Sequence, residues 1–149
     1  MKVSDIMHTD VDYVTPGTSV LDAVKLIFKH KHSGLPVVIG KRGKLIGFIT
    51  DQDILSQCFP SMKEYMEDVV HARNFDAMEE KVKEIMKLKV KDVMNRNVMY
   101  VEKNTPLLNA ESMMKVKDIA RLPVVDEKGR LIGILTKREI FRALVGKHI

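Results

Sequence analysis

The stretch from Val3 to Thr50 recurs between Val90 and Thr136, and this duplication limits the possible folds more than any other feature. "VSDIM" matches "VKDVM" at a shift of 87 residues, which also carries Val14 to Val101, Thr18 to Thr105, Ala23 to Ala110 and Pro36 to Pro123. Beyond "PVV" the shift drops to 86 and takes "GKLIGFIT" onto "GRLIGILT". The first copy thus has one extra residue between Val38 and Gly43, where a turn absorbs it. Ordered agreement over this length, with one indel in a turn, marks a tandem repeat.

Each copy reads as strand, helix, strand, strand, helix. "VDYVTP" and "VMYVEK" are the opening extended segments. Thr105 is placed to cap a helix with Pro106 at its first position, and Thr18 occupies the matching place. Val20, Val24 and Ile27 fall at helical spacing, with Leu21 and Phe28 broadening the stripe. "LPVVI" and "LIGFIT" read as strands around "GKRG", as do "LPVVD" and "LIGILT" around "EKG"; "DQDILSQ" and "KREIFRALV" are closing helices. The expected organisation is repeat 1 at 1–55, a helical insert at 56–89 and repeat 2 at 90–149. A unit this small buries too little alone. Two copies packed about a pseudo-twofold axis remedy that and create two related clefts. The fold class is α/β (α+β).

With no Trp and 5% aromatic residues, the core must be built from Val, Ile, Leu and Met. One cysteine, Cys58, forms no internal disulfide, and no apolar run approaches membrane-spanning length. A cytoplasmic protein without membrane contact is expected. The formal charge of +5 is dispersed among 20 acids, as in "EEKVKEIMKLKVKDV", with no interleaved aromatics to stack on bases. That argues against nucleic acid, while a modest positive potential suits phosphorylated small molecules.

The corner G-h-h-T-x-x-D is the candidate site. Thr50 falls where strand becomes helix, so its hydroxyl and the first helical N–H groups point outward together, an arrangement suited to phosphate. Asp53 can accept two hydrogen bonds from a vicinal diol such as a ribose presents. The same pair also serves as an ordinary N-cap and first-turn acid.

Together "DIM", "SGLPVV", "GKLIGFITDQDI" and "RLPVVDEKGRLIGILTKREI" resemble a cystathionine-β-synthase (CBS) domain pair, or Bateman module, over nearly the whole chain apart from the insert. The resemblance implies a regulatory module that binds an adenosine-containing ligand (AMP, ADP, ATP or S-adenosylmethionine) and often pairs into homodimers. It implies a first cleft with Thr50, Gln52 and Asp53 on one wall and Met99, Ala120 and Arg121 on the other. Arg121 is either a phosphate ligand or a surface arginine. The second cleft takes Thr136, Arg138 and Glu139, with Asp12, Ser33 and Gly34 opposite. It departs from the pattern: Glu139 is a methylene too long, Arg138 replaces a small or polar residue, and no arginine precedes the first "LPVV". The alternative is a structural or protein-interaction module with vestigial pockets.

In the insert, Ser61 and Glu64 form a capping box ahead of Met62, Tyr65, Met66, Val69 and Val70. A second helix from about Asn74 aligns Phe75, Met78, Val82, Ile85 and Met86. These stripes pack on the module's own edge, on a second copy, or on an unidentified protein partner. No nucleophile–base arrangement is present, and Asp51 and Asp53 are wrongly spaced for a catalytic pair, so no enzyme activity is expected. His30 and His32 lack further ligands at metal-binding spacing and, two residues apart, should not face each other, so no metal is expected.

Overall fold

The opening segment of each repeat completes the other repeat. In the computed structural model, which describes residues 1–41, 43–59 and 75–149 (of 75–77 the backbone alone), two compact units form. One comprises residues 1–12, 38–46 and 97–149, the other 13–37 and 47–96.

In the first unit, Val3–Asp5 makes a single 3-10 turn. The Val3 N–H donates to the Thr105 carbonyl (2.9 Å), Ser4 to Lys103 (2.9 Å), and Leu107 to Met1 (2.9 Å). Val3 is fully buried beside Leu107, Ala110, Met114, Leu122, Val124, Leu135 and Ile140, a burial that contributes about 1.5–3 kcal/mol. The second unit repeats the device: Val90 donates to Thr18 (2.8 Å), Lys91 to Pro16 (3.1 Å), and Val20 to Leu88 (2.8 Å).

The described elements of the first repeat are α1 (Val20–His30), β1 (Gly34–Ile39), β2 (Lys44–Thr50) and α2 (Asp51–Ser56). After them come α3 (Phe75–Met86) and the one-turn α4 (Val90–Val93). The second repeat has β3 (Val101–Glu102), α5 (Leu107–Lys117), β4 (Arg121–Val125), β5 (Leu131–Thr136) and α6 (Lys137–Val145). β1 pairs with β2, and β4 lies between β3 and β5. The β3–β4 pairing is parallel, while β4–β5 is antiparallel from Arg121 opposite Thr136 to Val125 opposite Leu131. The first repeat's opening strand shrinks to one bridge, Val14 with Val37. No described helix is long and apolar enough to cross a membrane.

Several local expectations change. Thr18 and Thr105 cap no helix: their hydroxyls accept from the Thr15 and Glu102 N–H groups (3.1 and 3.2 Å), closing turns one step earlier. Ser19 caps α1 instead, accepting from Asp22, and Pro106 is the N-cap of α5 rather than its first residue. On α1 the buried face is Val20, Ala23 and Ile27, while Leu21 and Phe28 face solvent. His30 and His32 do meet, with ring centroids 5.8 Å apart and stacked. Lys31, in the left-handed conformation at φ 55°, ends the helix and folds His32 back, so helical spacing no longer applies. Among the described residues, no group of three or more His, Cys, Asp or Glu is placed to hold a metal.

Of the insert, α3 packs against α1 and buries Ile85, while Val82 remains exposed. Ser61 and the stripe from Met62 to Val70, with Asn74, lie outside the described residues. Cys58 is free and buried.

Candidate functional site

The first corner is a strand that ends in a helix start, and its two key side chains hold each other. Thr50, extended at φ −116° and ψ 163°, accepts from the Asp53 N–H through Oγ1 (3.0 Å). Asp53 Oδ2 accepts from the Thr50 N–H (3.0 Å). This reciprocal capping box is the ordinary helix-start role. It uses one carboxylate oxygen, fixes the rotamer, and leaves Oδ1 with its lone pairs. Asp53 is half-buried; Gln52 is exposed, its N–H bonded to Asp51 Oδ1 (2.7 Å).

Why each corner begins with glycine is now plain. A Cβ on Gly47 would sit 2.9 Å from Met94 Sδ and 3.1 Å from the Asn95 carbonyl oxygen. One on Gly133 would sit 2.7 Å from Met7 Sδ and 2.9 Å from the His8 carbonyl oxygen. The glycines admit the exchanged opening segments. Phe48 and Asn95 then bond N–H to carbonyl in both directions (3.0 and 2.8 Å), as do His8 and Ile134 (both 2.9 Å).

Within the second unit, Ser33 and Gly34 lie beside the Thr50 corner: the Asp51 N–H donates to the Ser33 carbonyl (2.8 Å). A Cβ on Gly34 would come within 2.7 Å of the Ile49 carbonyl oxygen. Gly34, which stands where the second repeat has Arg121, thus permits a close approach that a side chain could share only if the strand shifted. Within the first unit, Ala120 and Arg121 lie beside Thr136: the Lys137 N–H donates to the Ala120 carbonyl (2.9 Å), and Arg121 pairs with Thr136. Arg121, Met99 and Asp12 are half-buried and Ala120 is exposed.

The second corner keeps half of the box. Thr136 Oγ1 accepts from the Glu139 N–H (3.2 Å). The Glu139 carboxylate instead lies 3.3 Å from His8 Nε2 and 4.0 Å from an Arg142 guanidinium nitrogen. Arg138 is exposed. Sequence reasoning missed His8; its only signal was that it follows "DIM" at the position that Asn95 holds after "DVM".

The CBS-domain family model matches residues 3–59 and 90–146, one match per repeat. The chain belongs to the CBS-domain family. It is 34% identical to the protein MJ1426 of Methanocaldococcus jannaschii, over 97% of this chain and 92% of that one. Of three further curated relatives, which are longer, it spans 23%, 45% and 40%. The structure of Arabidopsis thaliana CBSX2 in complex with AMP superposes with a TM-score of 0.76 at 29% identity, covering 99% of this chain and 98% of that one. The CBS domain pair of MJ0100, in complex with 5'-methylthioadenosine and S-adenosyl-L-methionine, superposes with a TM-score of 0.66 at 26% identity, covering 99% and 98%. The expected tandem CBS fold is thus established, and two proteins of this fold, CBSX2 and MJ0100, are seen in complex with adenosine compounds.

Proposed function

We propose that this chain is a cytoplasmic, non-catalytic sensor that binds one class of ligand, an adenine nucleotide or S-adenosylmethionine, at the Thr50–Asp53 corner. The observation that carries the reading is the capping box, which holds Asp53 in one rotamer with Oδ1 left to accept from a ribose diol. Thr50 and Gln52 take part from the same corner, and the family resemblance adds Met99, Ala120 and Arg121 to the proposed ligand residues. The AMP complex of CBSX2 and the S-adenosylmethionine complex of MJ0100 support the ligand class. Binding would act on a target through linkage, by favouring one packing of the protein over another.

The sensor works as a homodimer on this reading. Large apolar side chains stay exposed at equivalent places in both repeats: Leu21 and Leu108, Leu55 and Phe141, Phe59 and Val145. Such paired exposure favours a surface covered by a second copy. Phe141 and Val145 also line a groove of about 400 Å³ with Arg138, Arg142, Gly146 and Ile149.

Calorimetric titration of the full chain with AMP, ADP, ATP and S-adenosylmethionine tests the ligand reading. Asp53→Asn keeps an acceptor for the Thr50 N–H but removes the charge and one acceptor facing a diol. Hydrogen bonds to a charged group contribute about 1.5–3 kcal/mol, so affinity should fall roughly 10- to 150-fold. No binding of any of the four compounds to the parent chain refutes the reading. An interaction module with vestigial pockets has one observation in its favour, the engaged Glu139 carboxylate.

A further inference from the structure

The two corners descend from one sequence, yet their acids are held by different partners. In the first, the carboxylate turns back onto its own backbone, Asp53 Oδ2 to the Thr50 N–H at 3.0 Å. In the second, the extra methylene of Glu139 carries the carboxylate to the exchanged segment, where Oε1 meets His8 Nε2 at 3.3 Å. Arg142 approaches the same oxygen at 4.0 Å. His8 does not arrive there by chance of side-chain wandering. Its backbone is pinned to Ile134, two residues before Thr136, by hydrogen bonds in both directions (2.9 Å each). Gly133 lets that segment lie close, since any Cβ there would strike the His8 carbonyl oxygen at 2.9 Å. In the first corner the same backbone pairing, with Phe48, belongs to Asn95, which carries no charge.

We propose that His8 closes the second corner by holding Glu139, so that each chain binds one adenosine ligand rather than two. The inference rests on the reading that the Asp53 corner takes a ribose. A carboxylate has only acceptors to offer. Unlike Asp53, which folds back onto its own Thr50 N–H, Glu139 is drawn out of its corner toward His8 and Arg142, and a ligand must pull the carboxylate away from them to find it where Asp53 stands in the first corner. The Glu139 side chain is 23% exposed and that of His8 54%, so the contact is partly shielded from water. His8 and Glu139 are thereby specificity-determining residues, and the histidine comes from the start of repeat 1 to silence the corner of repeat 2.

The test is the stoichiometry of AMP and of S-adenosylmethionine on the full chain, read by calorimetry. The parent chain should titrate with one site per chain, abolished by Asp53→Ala. The double variant His8→Asn with Glu139→Asp restores the residue types of the first corner and should titrate with two. Its second site should survive the further change Asp53→Ala, with affinity there raised at least tenfold over the parent's. Glu139→Gln, which releases His8 but removes the carboxylate, should stay at one. Two equivalent sites in the parent would overturn the inference, as would one site in a double variant whose circular dichroism and melting match the parent. Absence of binding by either compound to any variant would instead overturn the ribose reading and take this inference with it.

Discussion

Replacing Gly133 by Ala should cost more than the same change at Gly47, and the difference can be worked out from contacts. At Gly133 the new Cβ lies 2.7 Å from Met7 Sδ and 2.9 Å from the His8 carbonyl oxygen. The thioether can swing aside. The carbonyl cannot, because it accepts from the Ile134 N–H at 2.9 Å while the His8 N–H donates to the Ile134 carbonyl at 2.9 Å. Retreat weakens both bonds and lifts the Val3–Met7 segment, including fully buried Val3. Overpacking of this kind costs about 1–3 kcal/mol and a weakened hydrogen bond about 1 more, so a loss of about 2–4 kcal/mol is expected. At Gly47 the nearest atom is Met94 Sδ at 2.9 Å, and the carbonyl oxygen of Asn95 stands off at 3.1 Å. A few tenths of an ångström of give suffices, and the loss should be about 1 kcal/mol. Gly17 has nothing within 4 Å of its Cβ position, so Gly17→Ala should be neutral or stabilise by up to about 1 kcal/mol. Urea denaturation of the three variants, with midpoints compared at a common slope, measures all of this. In melting temperature, Gly133→Ala should lose roughly 4–16 °C. If Gly133→Ala proved no less stable than Gly47→Ala, the exchanged segment would not lie where these contacts place it.

Two other outcomes are expected beyond the ligand titrations. Burial pushes the Asp126 carboxyl up, but the Arg130 backbone N–H, the Arg130 guanidinium and the Lys128 N–H outweigh it and hold the carboxyl below its ordinary value of 3.8. Its contribution to stability is therefore present above pH 3.8 and is lost as the pH falls through the lower folded value. The stability gap between the parent and Asp126→Asn should shrink on acidification through that window; a gap unchanged by acid in urea melts counts against it. Phe141→Asp, at a side chain 66% exposed in the single chain, should leave the monomer's melting nearly unchanged but weaken self-association at least tenfold by sedimentation. Equal association of parent and variant would remove this face from the dimer contact.

The repeat, the order of elements and the Thr–Asp corner were legible in the chain because each is written in local terms: hydrophobic period, turn residues, and a cap whose partners are three residues apart. The capping box at Thr50 and Asp53 needs nothing from elsewhere to form. Where local rules competed, reading the sequence was less sure. Thr18 and Thr105 were equally good as caps or as turn hydroxyls, and the turn took them, leaving Ser19 and Pro106 at the helix starts. His30 and His32 met because one left-handed residue, Lys31, ended the helix between them. Ala23 is buried while the larger Leu21 and Phe28 are exposed, because position around the helix rather than side-chain size decides which residues meet the core.

Tertiary packing alone decided which repeat each opening segment serves. "VSDIM" and "VKDVM" are nearly the same sequence, so no pattern within either says whether it should close its own repeat or the other. The choice is made by backbone pairs some 45 residues or more apart in sequence, Asn95 with Phe48 and His8 with Ile134, across glycines that make room for them. That choice also sets the functional asymmetry. A glutamate in place of an aspartate could be read from the chain; the histidine that holds it, 131 residues away, could not. Hydrogen bonds between distant residues depend on where the whole fold brings their backbones, and only the folded molecule records that.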